Sequence, residues 1–578
     1  MKSFELNKIS LTKYLFFTGK GGVGKTSIAC ATAVTLADSG KKVLLVSTDP
    51  ASNLQDVFST ELDGKGVAIA EVPGLVVANL DPIQAAAEYK ESVIAPYRGK
   101  LPDAVLANME EQLSGSCTVE IAAFNEFTNF ITDETAAKEY DHIIFDTAPT
   151  GHTLRMLQLP SAWSNFISES THGASCLGQL SGLEERKGMY KQAVNTLADG
   201  KLTTLVLVSR PETSPLSEAE RASKELADLG VHNQMLVVNG VLSAYDDAIS
   251  ESLYNKQQKA LAAIPAELKN IAAFFVPLRA YNITGMENVR NLLTKDLFTV
   301  SSETINTDNI PTLNKVIDDL YDSNKKVIFT MGKGGVGKTS IAAAIALGLS
   351  EKGKKVHLTT TDPAAHLKFV IEGNANITMS HIDEKAELKR YQEEVLKKAR
   401  ETMSEDDVAY VEEDLRSPCT QEIAVFRAFA EVVAKSENEV VVIDTAPTGH
   451  TLLLLDSTQS YHKEVKRTQG DVPEAVKKLL PRLRNADETS VVIVTLAETT
   501  PVYEAMRLEE DLHRAEIATK WWVINSSLYA TDTTNALLKA KASHEIEWIN
   551  KVDEISNGNF VVIKWKAEDV KGDALLES

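Results

Sequence analysis

Cysteine is scarce in this chain. Its 578 residues hold four, Cys30, Cys117, Cys176 and Cys419, and no two form a C-x-x-C pair. That excludes a disulfide framework as the expected scaffold and leaves each thiol as either packing or function. Long apolar runs are also missing. None approaches the ~20 residues needed to cross a bilayer, and the opening MKSFELNKISLTKY has no apolar signal core. The expectation is a cytoplasmic protein without direct membrane insertion. Positive charge is in deficit as well: 60 Lys and Arg against 81 Asp and Glu give a net charge of −21. Nucleic-acid binding needs a basic surface, so no nucleic acid is expected as a partner. An anionic small molecule is not excluded, because a few local lysines can hold phosphate.

Glycine, by contrast, is concentrated where it matters. The stretch Gly19-Lys20-Gly21-Gly22-Val23-Gly24-Lys25-Thr26-Ser27 follows an apolar run, Tyr14-Leu15-Phe16-Phe17-Thr18, and leads into Ile28-Ala29-Cys30-Ala31. Strand, glycine-rich loop and helix in this order form a phosphate cradle. Glycines let backbone N–H groups close on the anion, and the helix N-terminus adds its positive dipole end. Lys25 supplies a point charge for the outer phosphates of ATP, and the Thr26 hydroxyl is a ligand for Mg2+.

The same nine residues recur as Gly332-Lys333-Gly334-Gly335-Val336-Gly337-Lys338-Thr339-Ser340. Other stretches repeat in the same order. Asp49-Pro50-Ala51 returns at Asp362-Pro363-Ala364, Cys117-Thr118-Val119-Glu120-Ile121-Ala122 at Cys419-Thr420-Gln421-Glu422-Ile423-Ala424, and Asp146-Thr147-Ala148-Pro149-Thr150-Gly151-His152-Thr153 at Asp444 to Thr451. The pattern is a tandem duplication of one large domain. The expected halves are 1–299 and 325–578, joined by a polar linker over 300–324 that ends in a short helix at 316–321. Within each half, apolar runs read as buried strands at 42–47, 75–80, 142–145, 202–209, 235–239 and 272–276, then at 325–330, 355–360, 440–443, 490–496, 521–525 and 560–563. Helical stretches lie between them, among them 218–229 and 505–517. This alternation predicts an α/β fold in which each half is a mostly parallel sheet with helices on both faces. Ligands of such sheets bind at the C-terminal strand ends, where both glycine loops fall.

Several repeated side chains carry chemistry. Asp49 and Asp362 follow strands directly and are placed to orient the attacking water or to hold the Mg2+ shell; capping a helix is the simpler role for an Asp before Pro. Asp146 and Asp444 end the strands beside the loops, near Mg2+ and the γ-phosphate. Asn239 and Asn525 follow later strands and either cap them or meet the nucleotide. Cys30, among alanines in the helix after the first loop, reads as core. Cys117 and Cys419 each open a helix with apolar residues at Ile121, Phe124 and Phe127 or at Ile423, Phe426 and Phe429. A thiol at a helix N-terminus ionises more readily, and thiolate binds soft metals. Cys176 lies alone in a polar loop. Packing is the competing role for all three. As ligands, three thiolates suit a trivalent metalloid better than tetrahedral zinc.

The KGGVGKTS loops resemble those of the signature-lysine P-loop ATPases. With the two DTAPTGHT stretches, the paired C-T-x-E-I-A helix starts and the lone Cys176, the whole chain resembles the ArsA family, the catalytic ATPases of arsenite and antimonite efflux pumps. That resemblance implies ATP hydrolysis with Mg2+, a pseudo-dimer within one chain, and Lys20 and Lys333 each serving the opposite half's nucleotide. It implies an adenine contact for Asn239 and Asn525. It also places arsenite or antimonite between the halves, on Cys117, Cys176 and Cys419 with His152, His450 and Ser417. The implied partners are a separate ArsB-like membrane carrier, which would hold the protein at the inner face of the membrane, and an ArsD-like metallochaperone. Two alternatives fit less well. A targeting ATPase for tail-anchored membrane proteins would show a zinc-binding C-x-x-C and an apolar client groove, whereas 168–187 and 457–484 are polar. A MinD- or ParA-like positioning ATPase would need an amphipathic tail or a basic patch.

Overall fold

A computed structural model describes residues 1–48, 54–102, 105–106, 109–110, 113, 116–147, 187–281, 283, 285–294, 311–360, 376–416, 420–445 and 473–566. In the first half the strands are β1 (Lys2–Ser3), β2 (Tyr14–Thr18), β3 (Val43–Ser47), β4 (Val67–Ala68), β5 (Leu75–Asn79), β6 (His142–Asp146), β7 (Thr203–Ser209), β8 (Gln234–Val241) and β9 (Ala272–Pro277). In the second they are β10 (Val327–Met331), β11 (Val356–Thr360), β12 (Ile377–His381), β13 (Val440–Asp444), β14 (Thr489–Thr495), β15 (Thr519–Ser527) and β16 (Phe560–Lys564).

Two sheets result. The first runs β1-β9-β8-β7-β2-β6-β3-β5-β4 and the second β12-β11-β13-β10-β14-β15-β16. Without its outermost strands, the first sheet has the order of the second, so the repeated sequence builds a repeated topology. All pairings are parallel except β4 with β5. The central strands are buried along their whole length, as sheets covered on both faces require. Among the described residues no helix is long and apolar enough to cross a membrane.

Each loop feeds a helix, Lys25–Asp38 or Lys338–Glu351, that is buried nearly all round. Alanine lets these helices lie close against the sheet, and Cys30 is fully buried among them. Burial pushes its thiol pKa well up, so it is core and not a nucleophile. The helix Ser116–Thr132 covers the other face of the first sheet. Its Phe127 meets Phe16 and Phe145 edge-on, with centroids 5.9 and 5.2 Å away, while those two rings stack at 4.5 Å. Phe429 on the helix Thr420–Ala434 packs on Phe329 of the second half.

Three strands differ from the sequence reading. β1, β4 and β12 were not expected. β12 is the informative one, because it lies at a sheet edge and buries Ile377 alone among its residues. A solvated edge needs no apolar run, so periodicity cannot find it. Two helices also start earlier than expected, at Thr213 and Thr499. Pro215 and Pro501 fall in their first turns, where the missing N–H costs nothing. The helix Leu313–Asp322 lies within the expected linker, yet Leu313, Val316, Ile317 and Leu320 join the core of the second half.

His357 on β11 pins the β12 edge. Its ring nitrogens lie 2.7 Å from Thr378 Oγ1 and 2.8 Å from Ser380 Oγ, and Lys435 Nζ donates to Nε2 at 3.1 Å. Burial, then the neighbouring Lys435 charge, lowers the His357 pKa to about 4. A lowered histidine pKa stabilises the fold fully above pH 6.5, and that contribution fades as pH falls toward 4. Thermal melts should therefore lose stability across this window, up to about 3 kcal/mol from this one group. His357→Gln should flatten that part of the profile; an unchanged slope would remove His357 from the account.

Candidate nucleotide site

Both glycine loops stand at the C-terminal ends of their central strands. After β2 the chain turns through the loop and enters the helix at Lys25, with Gly24 at φ +89°; Gly337 repeats this at +95°. These two glycines have a second reason to lack a side chain. A Cβ on Gly24 would lie 2.3 Å from Asn239 Nδ2, and one on Gly337 would lie 2.1 Å from Asn525 Nδ2. The asparagines sit that close because they hold the loops. Asn239 Nδ2 donates to Val23 O at 3.0 Å and Asn525 Nδ2 to Val336 O at 2.9 Å. The sheet registers shift between Asn239 and Val241, and between Ile524 and Ser527, with left-handed backbone at Gly240 and Ser526. Such bulges re-aim a side chain, here toward the loop.

Asp146 ends β6 and is paired in register with Phe17 of β2 and Ser47 of β3. Its Oδ2 accepts a hydrogen bond from Thr26 Oγ1 at 2.7 Å. Asp444 accepts from Thr339 Oγ1 at 2.6 Å and from Thr360 Oγ1 at 3.1 Å. Each half thus brings a hydroxyl and a carboxylate together at the start of the loop helix. These hard oxygen donors fit Mg2+, which takes one or two protein oxygens and completes its shell with phosphate and water. Lys25 and Lys338 are almost buried and donate to the carbonyls of Lys20 and Lys333, at 3.4 and 3.0 Å. Ser27 and Ser340 lie in the first turns of the loop helices.

Lys20 and Lys333 both contact their own halves. Lys20 Nζ donates to Ser214 Oγ at 2.9 Å. Lys333 Nζ pairs with Glu504 in a short ionic contact. Beside it, Glu498 accepts from Lys541 Nζ at 2.6 Å. Lys541, then Arg210 of the first half and Lys333, hold the Glu498 carboxyl at a pKa of about 2, against the opposing effect of burial.

The two loops touch each other. A Cβ on Gly21 would lie 2.6 Å from Gly334 Cα, one on Gly22 would lie 2.6 Å from Gly334 O, and one on Gly335 would lie 2.5 Å from Gly21 O. The halves also meet at a second place. Asp247 caps the helix Ala248–Ala262 through Ser250 N at 2.7 Å, and its other oxygen accepts from Thr533 Oγ1, Thr534 N and Asn535 N at 2.7, 2.6 and 3.0 Å. Asn535 in turn caps the helix Ala536–Ser556. Next to this clasp Leu528, Leu538 and Ala542 pack on Ile249, Leu253 and Leu278.

Of the residues singled out from sequence, the structure brings together the loops, Asp146 with Thr26, Asp444 with Thr339, and both asparagines. Asp49, Asp362, His152, Cys176, Ser417, Cys419 and His450 lie outside the described residues. Cys117 is in the first turn of the helix Ser116–Thr132, with only its backbone described. Sequence reasoning missed Glu504, Glu498, Lys541, Arg210 and Asp247. A signal existed for the glutamates. Glu212 and Glu498 precede matching helices with a proline in the first turn, and Glu218 and Glu504 occur at the same step beyond them.

The family model described as anion-transporting ATPase matches residues 12–298, 325–479 and 468–578. An arsenical pump-driving ATPase of Escherichia coli is 48% identical over 550 residues, 94% of either chain. One of Acidiphilium multivorum is 46% identical with the same coverage. The ATPase GET3 of Kluyveromyces lactis is 30% identical over 308 residues, 49% of this chain and 88% of its own. Two loops of this geometry on a repeated sheet, and family matches over both halves, establish that the chain is an ATP-hydrolysing enzyme belonging to the anion-transporting ATPase family.

Proposed function

We propose that the chain is the energy-supplying subunit of an arsenite or antimonite efflux system, acting as a pseudo-dimer with boundaries near 299 and 325. The contact between the two glycine loops carries this reading. Lys20 and Lys333 adjoin the glycines in contact, which supports a role for each across the boundary between the halves. ATP is cradled by 19–27 and 332–340. Thr26 with Asp146 and Thr339 with Asp444 would hold Mg2+, which neutralises charge between the phosphate oxygens when bound. Asp49 and Asp362 orient the attacking water. Lys25 and Lys338 leave their loop carbonyls for the phosphates, and Asn239 and Asn525 fix the loops and face the adenine side. Lys20 and Lys333 cross to the opposite nucleotide, where each stabilises charge that develops during phosphoryl transfer.

Cys117, Cys176 and Cys419, supported by His152, His450 and Ser417, take the trivalent metalloid. Ligands drawn from both halves close the halves when they bind, and closure completes both ATP sites. By linkage, nucleotide must tighten metalloid binding to the same extent. A separate membrane carrier and a metallochaperone complete the system at the inner face of the membrane. The name arsenical pump-driving ATPase, borne by relatives that match across nearly the whole chain, supports this over the targeting reading. The GET3 ATPase matches only about half of the chain.

Two measurements test the proposal. The ratio of ATPase rates with and without arsenite or antimonite should fall to about one when Cys117, Cys176 and Cys419 are all changed to Ser; a preserved ratio would overturn the thiolate assignment. Lys20→Ala and Lys333→Ala should each lower kcat, by roughly 100- to 1,000-fold if each lysine is one preorganised group meeting the developing charge. Titration with a fluorescent ATP analogue should still find nucleotide bound. Full activity of either variant would refute the crossing role.

A further inference from the structure

The two crossing lysines are not held alike. Lys20 donates to a neutral hydroxyl, that of the exposed Ser214. Lys333 is bound by the carboxylate of Glu504, and this pair is largely withdrawn from water, with side chains 19% and 7% exposed. The residue in the place of Glu504 in the first half is Glu218, whose carboxylate lies 3.5 Å from Arg221. Around Lys333 the charges are also denser. Glu498, held by Lys541 at 2.6 Å, interacts with Lys333 as well as with Arg210 from the opposite half.

These contacts set unequal costs for the same movement. Detaching Lys20 exchanges one charge-assisted hydrogen bond to a hydroxyl for contacts to phosphate. Detaching Lys333 gives up a charge–charge contact that is largely withdrawn from water, which is more costly than giving up one exposed hydrogen bond. A strong anion next to Lys333, such as phosphate, repays it.

We propose that Glu504 is a positioning residue that parks Lys333 on its own half and releases it only to a phosphate bound in the first half's loop. The inference rests on the crossing role of Lys333 argued above. Under it, the nucleotide site of the second half is completed readily by Lys20, whereas the site of the first half is locked until Lys333 leaves Glu504. The lock restrains hydrolysis in the absence of metalloid, and closure of the halves relieves it by bringing the phosphate within reach.

The test uses the full chain and ATP alone, with no metalloid. Glu504→Gln should raise kcat at least about fivefold, the low end of coupling between linked sites, with a smaller change in KM. Glu504→Asp, which keeps the charge, should bring the rate back toward wild type. In a Lys333→Ala background Glu504→Gln should change nothing. A rate that is unchanged or lower in folded Glu504→Gln protein overturns the lock, and so does an effect that persists without Lys333. Ser214→Glu provides a mirror test should Glu504→Gln fold poorly. Giving Lys20 a carboxylate should lower the metalloid-free rate severalfold, and an unchanged rate counts against the proposal. If instead Lys333→Ala alone keeps full activity, the crossing role itself has failed and not only the lock.

Discussion

The structure depends on a contact that only glycine permits. Gly21, Gly22, Gly334 and Gly335 bring two phosphate loops backbone to backbone, and a single methyl group on Gly21, Gly22 or Gly335 would collide with the opposite loop. Two loops carrying four lysines therefore come into contact. Like charges repel, and each lysine has its own partner: carbonyls for Lys25 and Lys338, a hydroxyl for Lys20 and a carboxylate for Lys333. The nucleotide phosphates are the natural replacement for all of these partners. Under the proposed function, binding ATP and joining the halves are two aspects of one electrostatic requirement.

Duplication gave the halves the same scaffold but not the same fittings. The strand order repeats, and so do the Asn–loop and Thr–Asp contacts. Differences appear one shell out. Gln257 holds the turn after β8 by accepting from Leu242 N and donating to Gly240 O. Glu545 does the corresponding work after β15 by accepting from Ser527 Oγ, Leu528 N and Tyr529 N, and burial raises its carboxyl pKa. A neutral amide in one half and an acid in the other support equivalent turns with different proton demands.

Sequence reading went furthest where the chemistry is local. The loop, the aspartates ending β6 and β13, and the buried Cys30 each follow from the short stretch that holds them, although the aspartates meet their threonine partners from far along the chain. The α/β class followed from alternation of buried strands with helices. Legibility failed where solvent or distance intervenes. β12 looks polar because its outer edge is wet. The helix starts at Thr213 and Thr499 were hidden by prolines that suit a first turn. Glu504 and Asp247 read as ordinary surface acids, since their partners lie far along the sequence.

The Asp247 clasp has a mechanical consequence. Among the described residues, two separated places hold the halves, the glycine contact and the Asp247 carboxylate with its apolar neighbours. Two bodies fixed at two points keep a single easy freedom, rotation about the line that joins them. The clasp is the firmer pivot, because one oxygen gathers four donors from three residues and its twin caps a helix. As far as these two contacts constrain it, movement between the halves is a rocking about the line through them and not a slide, and anything far from that line travels the greatest distance for a given turn.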